Sequence, residues 1–145
     1  MTFRIAGLDP RSFPHFTHAR RVRVDASPGF PCRVSLADAA IGEEVLLVNF
    51  EHHAVESPWR ARGPIYVRPD VPQRVCEPGE VPALLLSRVL SVRSYDATGN
   101  LVDADVLDGS ALAAKLNTQL AQPAIAFVHV HFAKPGCFAC RVDRA

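Results

Sequence analysis

Two histidines and two cysteines fall between Phe127 and Cys140, and no other segment gathers so many groups that could do chemistry. His129 and His131 are separated by one residue, and Cys137 follows shortly after them. Alternate positions of a β-strand share one face, so the two imidazoles are predicted to be neighbours. Paired imidazoles can bind one metal ion, and an imidazole beside a thiol can act as a base. This segment therefore predicts a functional site.

Three other segments carry residues that could complete such a site. A proline-rich loop presents a cysteine and an arginine, an apolar strand ends in two adjacent histidines, and the only tryptophan lies beside an arginine. Polar groups at strand ends are held rigidly yet remain accessible, and tryptophan or arginine can stack on a ligand. Adjacent residues of an extended chain point in opposite directions, so one histidine of the pair is expected to face the pocket. The candidate ligand-binding residues are Cys32, Arg33, His52, His53, Trp59 and Arg60.

One hypothesis is a metal-dependent enzyme. His129 and His131 would be two ligands of a transition metal such as zinc, and His52 or His53 would be the third. Cys137 or a water molecule would complete the coordination. The spacing matches no standard zinc motif, so the sequence leaves the cofactor undefined.

A second hypothesis is a thiol enzyme in which Cys137 is the nucleophile and His131 the base. Gly136 would let a substrate approach the backbone closely, and Arg33 or Arg141 would favour the thiolate. The thiol is predicted to precede a strand, so no helix dipole activates it. A dithiol role shared with Cys140 is disfavoured for the same reason.

The third hypothesis is a module that binds a small ligand without catalysis, an anionic ligand if the arginines contact it. Its pocket would be lined by histidine, cysteine and arginine, with Trp59 and Arg60 at its rim. Pockets of mixed aromatic and polar residues are the usual form of a ligand site. We prefer this interpretation because it requires the least specialised geometry, and the sequence does not decide whether the protein is an enzyme.

The elements that would position these residues are mostly strands. The patterns predict strands over Glu44–Phe50 and Ala124–Phe132, and a hairpin with its turn at Asp96–Asn100. They also predict one main helix from Ala111 to Gln122 capped by Ser110, and short helical turns, one of which follows Ser35. The expected fold class is α+β, with one domain over residues 1–145 and a mixed, mostly antiparallel sheet.

Composition excludes several classes of function. A hydrophobic content of 48% and a charged content of 21% are typical of a folded protein, and a net charge of +1 gives no basis for nucleic-acid or membrane binding. No apolar run is long enough to cross a bilayer, and the first residues lack the pattern of a signal peptide. We therefore expect a cytoplasmic protein with reduced cysteines and a small-molecule partner, while its oligomeric state is not indicated.

Three motifs in combination resemble a known family. They are Pro31-Cys-Arg-Val-Ser-Leu36, Asn49-Phe-Glu-His-His53 and the segment from His129 to Arg144. Together they are similar to a bacterial family of unknown function, the one numbered twelve hundred and three. The resemblance covers nearly the whole chain and implies a bacterial single-domain protein without an established activity. In that family alanine is common at the position of Cys140, which implies that the Cys137–Cys140 pair is particular to this chain.

Overall fold

Two five-stranded β-sheets and two short helices form the part of the chain that the structure describes. The structure is a computed structural model, and it describes residues 2–12, 19–68 and 70–145. The first sheet has the strand order β1-β10-β9-β7-β8, and the second has the order β2-β5-β6-β3-β4. The strands and helices are β1 (Phe3–Ala6), β2 (Arg20–Arg23), β3 (Pro31–Cys32), β4 (Ala37–Asp38), β5 (Glu44–His53), β6 (Ala61–Val67), α1 (Ala83–Leu86), β7 (Val89–Tyr95), β8 (Leu101–Asp108), α2 (Leu112–Leu120), β9 (Phe127–Phe132) and β10 (Phe138–Arg144).

Strand β9 lies at the centre of the first sheet, between β10 and β7, and all of its side chains are buried. Val128, Val130 and Phe132 point to the face that packs on the helices, where leucines of α2 complete the core. The alternation of a strand then directs His129 and His131 to the opposite face, as the sequence predicted. That face meets the second sheet, so the two imidazoles lie between the sheets.

The second sheet is antiparallel except for the pairing of β3 with β6, which is parallel. Its longest strand, β5, carries an apolar run that ends in His52 and His53. Phe138 at the start of β10 packs into the cluster formed by Val48, Ile65 and other residues of this sheet. The same aromatic side chain thus joins the two sheets next to the histidines.

The α+β class and the mostly antiparallel pairing are confirmed, with two sheets present where one was expected. The hairpin of β7 and β8 with its turn after Tyr95 is also confirmed. The main helix is shorter than predicted, because a turn of 3-10 helix occupies Gly109–Ala111 and no side chain caps α2. Ser110 therefore lies inside that turn. No helix in the described ranges is long and apolar enough to cross a membrane.

The helical turn predicted after Ser35 is wrong, because this segment forms the tight hairpin of β3 and β4. Leu36 closes the hairpin with a φ of 53°, a left-handed conformation that is costly for a residue with a branched side chain. Its burial in the helix-side core offsets that cost. The hairpin fixes the position of Arg33, the first residue of its turn.

Candidate functional site

Four histidines gather where the end of β5 meets the middle of β9. The ring centroids of His52 and His131 are 5.0 Å apart, those of His52 and His129 are 6.0 Å apart, and those of His53 and His129 are 5.2 Å apart. Phe138 stacks on the His52 ring at 5.2 Å with an interplanar angle of 15°. The end of β5 and the middle of β9 thus meet, which the sequence alone could not establish.

Both adjacent histidines of β5 approach His129, although a regular strand would direct them to opposite sides. The register between β5 and β6 shifts between Phe50 and His53, and an irregularity of this kind twists the strand and redirects its side chains. His53 is buried, and its Nε2 lies 2.8 Å from the carbonyl oxygen of Gly99. His52 remains at the edge of the cluster and lines a cavity.

Three of the four histidines are uncharged at neutral pH. Burial lowers the pKa of His52 to about 4, and it lowers the pKa of His131 to about 4 as well. Burial, together with a smaller effect of the neighbouring histidines, lowers the pKa of His129 to about 2. The positive charge of Arg93 acts in the same direction on His52 and His131. Neutral imidazoles can serve as hydrogen-bond donors, acceptors or metal ligands.

Three ring nitrogens of the cluster are buried without a hydrogen-bond partner: Nδ1 of His52, Nδ1 of His129 and Nε2 of His131. Nδ1 of His131 lies 3.0 Å from the carbonyl oxygen of Gly136. A carbonyl can only accept, so Nδ1 carries the proton and Nε2 keeps a free lone pair. Burying a ring nitrogen without a hydrogen-bond partner costs free energy. Bound water or a ligand is therefore expected to contact these nitrogens.

Arg33 brings a cation to the same region. Its side chain is only 1% exposed, and the backbone of the residue is held by hydrogen bonds to Tyr66 and Leu8. Nε donates to the carbonyl oxygen of Phe138 at 2.8 Å, Nη1 donates to that of Pro31 at 2.7 Å, and Nη2 donates to Sγ of Cys137 at 3.0 Å. The described residues place no carboxylate in an ion pair with this guanidinium. A buried positive charge without a counter-ion therefore stands at the site.

A cavity of about 420 Å³ opens beside these residues. Strand β6 forms one wall and the turn between β9 and β10 forms the other, and none of the described residues that line the cavity is an aspartate or a glutamate. Arg62 contributes a second cation, and its Nε donates to the side-chain oxygen of Asn49 rather than to a carboxylate. The polar and aromatic lining residues are Arg33, His52, Arg62, Tyr66, Cys137 and Phe138. We call this space the Arg33 cavity.

A second cavity of about 660 Å³ lies on the other side of Arg33 and Cys137, which line both spaces together with Tyr66 and Pro135. Arg88 and Lys134 face this second cavity. Arg88 is neutralised by an ion pair of 2.8 Å with Asp38. The Arg33–Cys137 pair is therefore the wall that the two cavities share.

The structure brings together some of the residues proposed from the sequence and separates others. Arg33, His52 and Cys137 line the Arg33 cavity, and His129 and His131 lie directly behind them. Cys32 and His53 are buried without reaching either cavity. Trp59 is 47% exposed on the loop before β6, and Arg60 pairs with Glu51 there, so neither lines these cavities.

Sequence reasoning missed Arg62 and Tyr66, because Gly63 and Pro64 suggested a loop where β6 begins. Strand β3 pairs with β6 only at Tyr66, so no strand lies beside Pro64 on that edge of β6. A proline, which has no backbone N–H to donate, is therefore tolerated at this position. Alternation of side chains from Ala61 onwards would have been the signal for both residues.

The described part of the chain contains no group of three or more histidine, cysteine, aspartate or glutamate side chains arranged to hold a metal ion. The unpartnered nitrogens of His129 and His131 nevertheless fit the chemistry of imidazole ligands. Metal binding by these residues stays a prediction.

Two mostly antiparallel sheets, with helices on one face and a cluster of arginine, histidine and cysteine side chains between the sheets, define an α+β fold. The profile of the family described as "Protein of unknown function (DUF1203)" matches residues 29–144, a span that includes every residue of the site. The chain belongs to this family, as the motifs predicted. Comparison with curated proteins and with solved structures finds no significant similarity.

Proposed function

We propose that the protein binds a small anionic ligand in the Arg33 cavity. The observation that carries this proposal is the guanidinium of Arg33, which is buried at the cavity wall and has no carboxylate partner. Removing a charge from water is expensive, and a cation held without a counter-ion favours any anion that enters. The ligand would supply the missing charge.

The other groups of the cavity support the same ligand class. Arg62 adds a cation that forms no ion pair within the described residues, and the absence of lining carboxylates removes the usual repulsion of anions. His52 is neutral, because burial lowers its pKa to about 4, so it adds a polar contact without charge. Phe138 and Tyr66 provide apolar surface. The volume of about 420 Å³ suits a small metabolite.

The test uses the shift in melting temperature of the native chain with a panel of small anions: inorganic phosphate, sulfate, acetate, succinate and a sugar phosphate. At least one is expected to stabilise the protein with a saturable dose response. Arg62→Gln should weaken that binding by roughly tenfold to a hundredfold, the effect of losing one hydrogen bond to a charged group. Arg4→Gln, on the exposed edge strand β1, is the matched control and should bind normally. Equal affinity of the two variants would refute the proposal.

A metal-dependent enzyme is the second candidate, and the three unpartnered nitrogens of the histidine cluster favour it. Elemental analysis of protein purified without chelator would test it. About one transition-metal ion per chain, lost in His131→Ala, is the expected result for this candidate. Protein free of metal after loading with zinc would remove it.

We also propose a cytoplasmic location and a bacterial origin. The location is supported by the cysteines, since Cys32, Cys76, Cys137 and Cys140 are all free. Reduced cysteines are typical of proteins kept in a reducing compartment. The origin rests on the family resemblance alone.

A further inference from the structure

Cys137 is the most accessible cysteine of the chain. Cys32, Cys76 and Cys140 are buried in the cores, whereas Cys137 is half-buried and lines both cavities. It precedes β10 directly and follows Gly136, whose φ of 79° turns the chain back towards the sheet. Small solutes can therefore reach its sulfur from two sides.

The Cys137 sulfur is hydrogen-bonded to a cation whose position is fixed. Nη2 of Arg33 lies 3.0 Å from Sγ, while Nε and Nη1 are anchored on the carbonyl oxygens of Phe138 and Pro31. The ring of Phe132 lies 4.9 Å from the guanidinium carbon and packs against the same group. An adjacent guanidinium favours the thiolate form of a cysteine, and the thiolate is the nucleophile.

The surroundings of the Cys137 sulfur also restrict the reaction it can perform. The proposed base, His131, makes no hydrogen bond to the sulfur: its Nδ1 lies on the carbonyl of Gly136 and its Nε2 has no partner, while Arg33 donates to the sulfur. A guanidinium cannot accept a proton, so it cannot serve as a general base. Reactions in which Arg33 stabilises the negative charge that develops on the sulfur, and whose leaving group takes its proton from water, fit the site best.

We propose that Cys137 is a site of oxidation by small hydroperoxides. The thiolate sulfur attacks one peroxide oxygen, the S–O bond forms, and the O–O bond breaks with its electron pair going to the departing oxygen. The departing oxygen takes a proton from water, so the hydroperoxide is reduced to an alcohol or to water and the sulfur is oxidised to sulfenic acid. Two equivalents of a small thiol return the sulfenic acid to the thiol, releasing water and a small disulfide.

The three other cysteines are buried, so a small oxidant reaches them less readily than it reaches Cys137. Cys140 lies in the helix-side core, where burial raises the pKa of its thiol. All four cysteines are free in the structure. The product is therefore the sulfenic acid of Cys137. The proposal does not depend on anion binding, since the hydroperoxide itself is the reactant.

The test treats the native chain with a limiting amount of hydrogen peroxide in the presence of dimedone, without added anions, and locates the adduct by peptide mass spectrometry. The adduct is expected on Cys137, at a rate at least about tenfold above that of glutathione under the same conditions. Cys76→Ser is the control and should keep the adduct, whereas Cys137→Ser should lose it. Absence of the adduct from Cys137, or a rate equal to that of glutathione, would overturn the proposal.

Arg33→Lys tests the part played by the guanidinium, because it keeps a cation and loses the fixed fork of donors. If the variant keeps the native circular dichroism spectrum, its oxidation rate is expected to fall about tenfold. An unchanged rate in a folded variant would show that Arg33 does not activate the sulfur. If the variant fails to fold, the rate comparison between the native chain and glutathione decides the proposal.

Discussion

Arg33 shows how a single side chain can hold a charge inside a protein without an ion pair. Its nitrogens donate to two carbonyl oxygens and a thiol, and the ring of Phe132 covers its face. Burial lowers the pKa of this guanidinium, while attraction to Cys137 offsets part of that effect. A guanidinium nevertheless stays protonated in proteins. The positive charge is therefore permanent, whereas the histidines behind it are neutral.

The neutral histidines make the protein sensitive to acid. His129 has a pKa lowered to about 2 by burial, against an ordinary value of 6.5. Above about pH 6.5, the pKa of this histidine in the unfolded chain, neither state is protonated and the full free energy of unfolding is present. As the pH falls from about 6.5 towards 2, only the unfolded chain takes up the proton, so the free energy of unfolding decreases. The loss for this residue is about 1.4 kcal/mol per pH unit over that range.

His129→Phe should remove that part of the acid sensitivity. Phenylalanine fills a similar volume without a titrating group, so at pH 7 the two proteins should differ by less than about 1.5 kcal/mol. Below pH 6.5 the free energy of unfolding of the variant should rise relative to that of the native chain by about 1.4 kcal/mol per pH unit. Urea unfolding between pH 7.5 and pH 4.5 measures both free energies. Parallel stability profiles across that range would contradict the account.

At the scale of elements, the site is held by contacts between backbones. Gly7 follows β1 and its backbone nitrogen donates to the carbonyl of Arg74, while the next residue, Leu8, donates to the carbonyl of Arg33. A Cβ atom at Gly7 would lie 2.2 Å from the carbonyl oxygen of Val34. The chain after β1 thus lies directly on the turn that presents Arg33.

Gly7→Ala should therefore destabilise the protein and disturb the Arg33 cavity together. Backbone atoms cannot move aside as a flexible side chain can, and overpacking of this kind costs about 1–3 kcal/mol. Gly63→Ala is the matched control, since a Cβ at Gly63 meets nothing within 4 Å and the change should be nearly neutral. Chemical denaturation gives both free energies. Equal stability of the two variants would show that the chain after β1 does not constrain the turn.

The elements that could be predicted were those whose side-chain pattern is local. Alternation identified β9 and the hairpin of β7 and β8, and an apolar run identified β5. The hairpin of β3 and β4 was mistaken for a helical turn because its left-handed Leu36 is sustained by burial, which is a tertiary effect.

The candidate site could be predicted in part for the same reason. The strands carrying His52, His129 and His131 were identified, whereas the sequence could not show that these strands meet. The bulge that turns His53 towards His129, and the exposure of Trp59, depend on how β5 pairs with β6. No local pattern of residues predicts that pairing.

At the scale of the whole molecule, the first two strands lie outside the family match yet complete both sheets. The match begins at residue 29, whereas β1 pairs with β10 and β2 pairs with β5. Phe3 and Ile5 of β1 are fully buried in the helix-side core. Strands β1 and β2 are therefore an integral part of the fold.

Phe3→Ala should destabilise the protein by about 3–5 kcal/mol, the usual effect of removing a buried phenylalanine ring. Arg4→Ala changes the exposed neighbour on the same strand and should shift the free energy of unfolding by less than about 0.5 kcal/mol. Thermal and urea unfolding measure the two effects. A Phe3→Ala variant as stable as the native chain would show that β1 is not part of the core.

Backbone NMR of the isotope-labelled native chain shows whether an anion binds beside Arg33. Titration with the anion that raises the melting temperature most should shift the amide signals of Gly63, Gly136 and Cys137, which line the Arg33 cavity. The signals of β8, on the far edge of the first sheet, should not move. Saturable shifts confined to the cavity are the predicted result. Shifts that scatter over the surface, or none at all across the panel, would contradict the account.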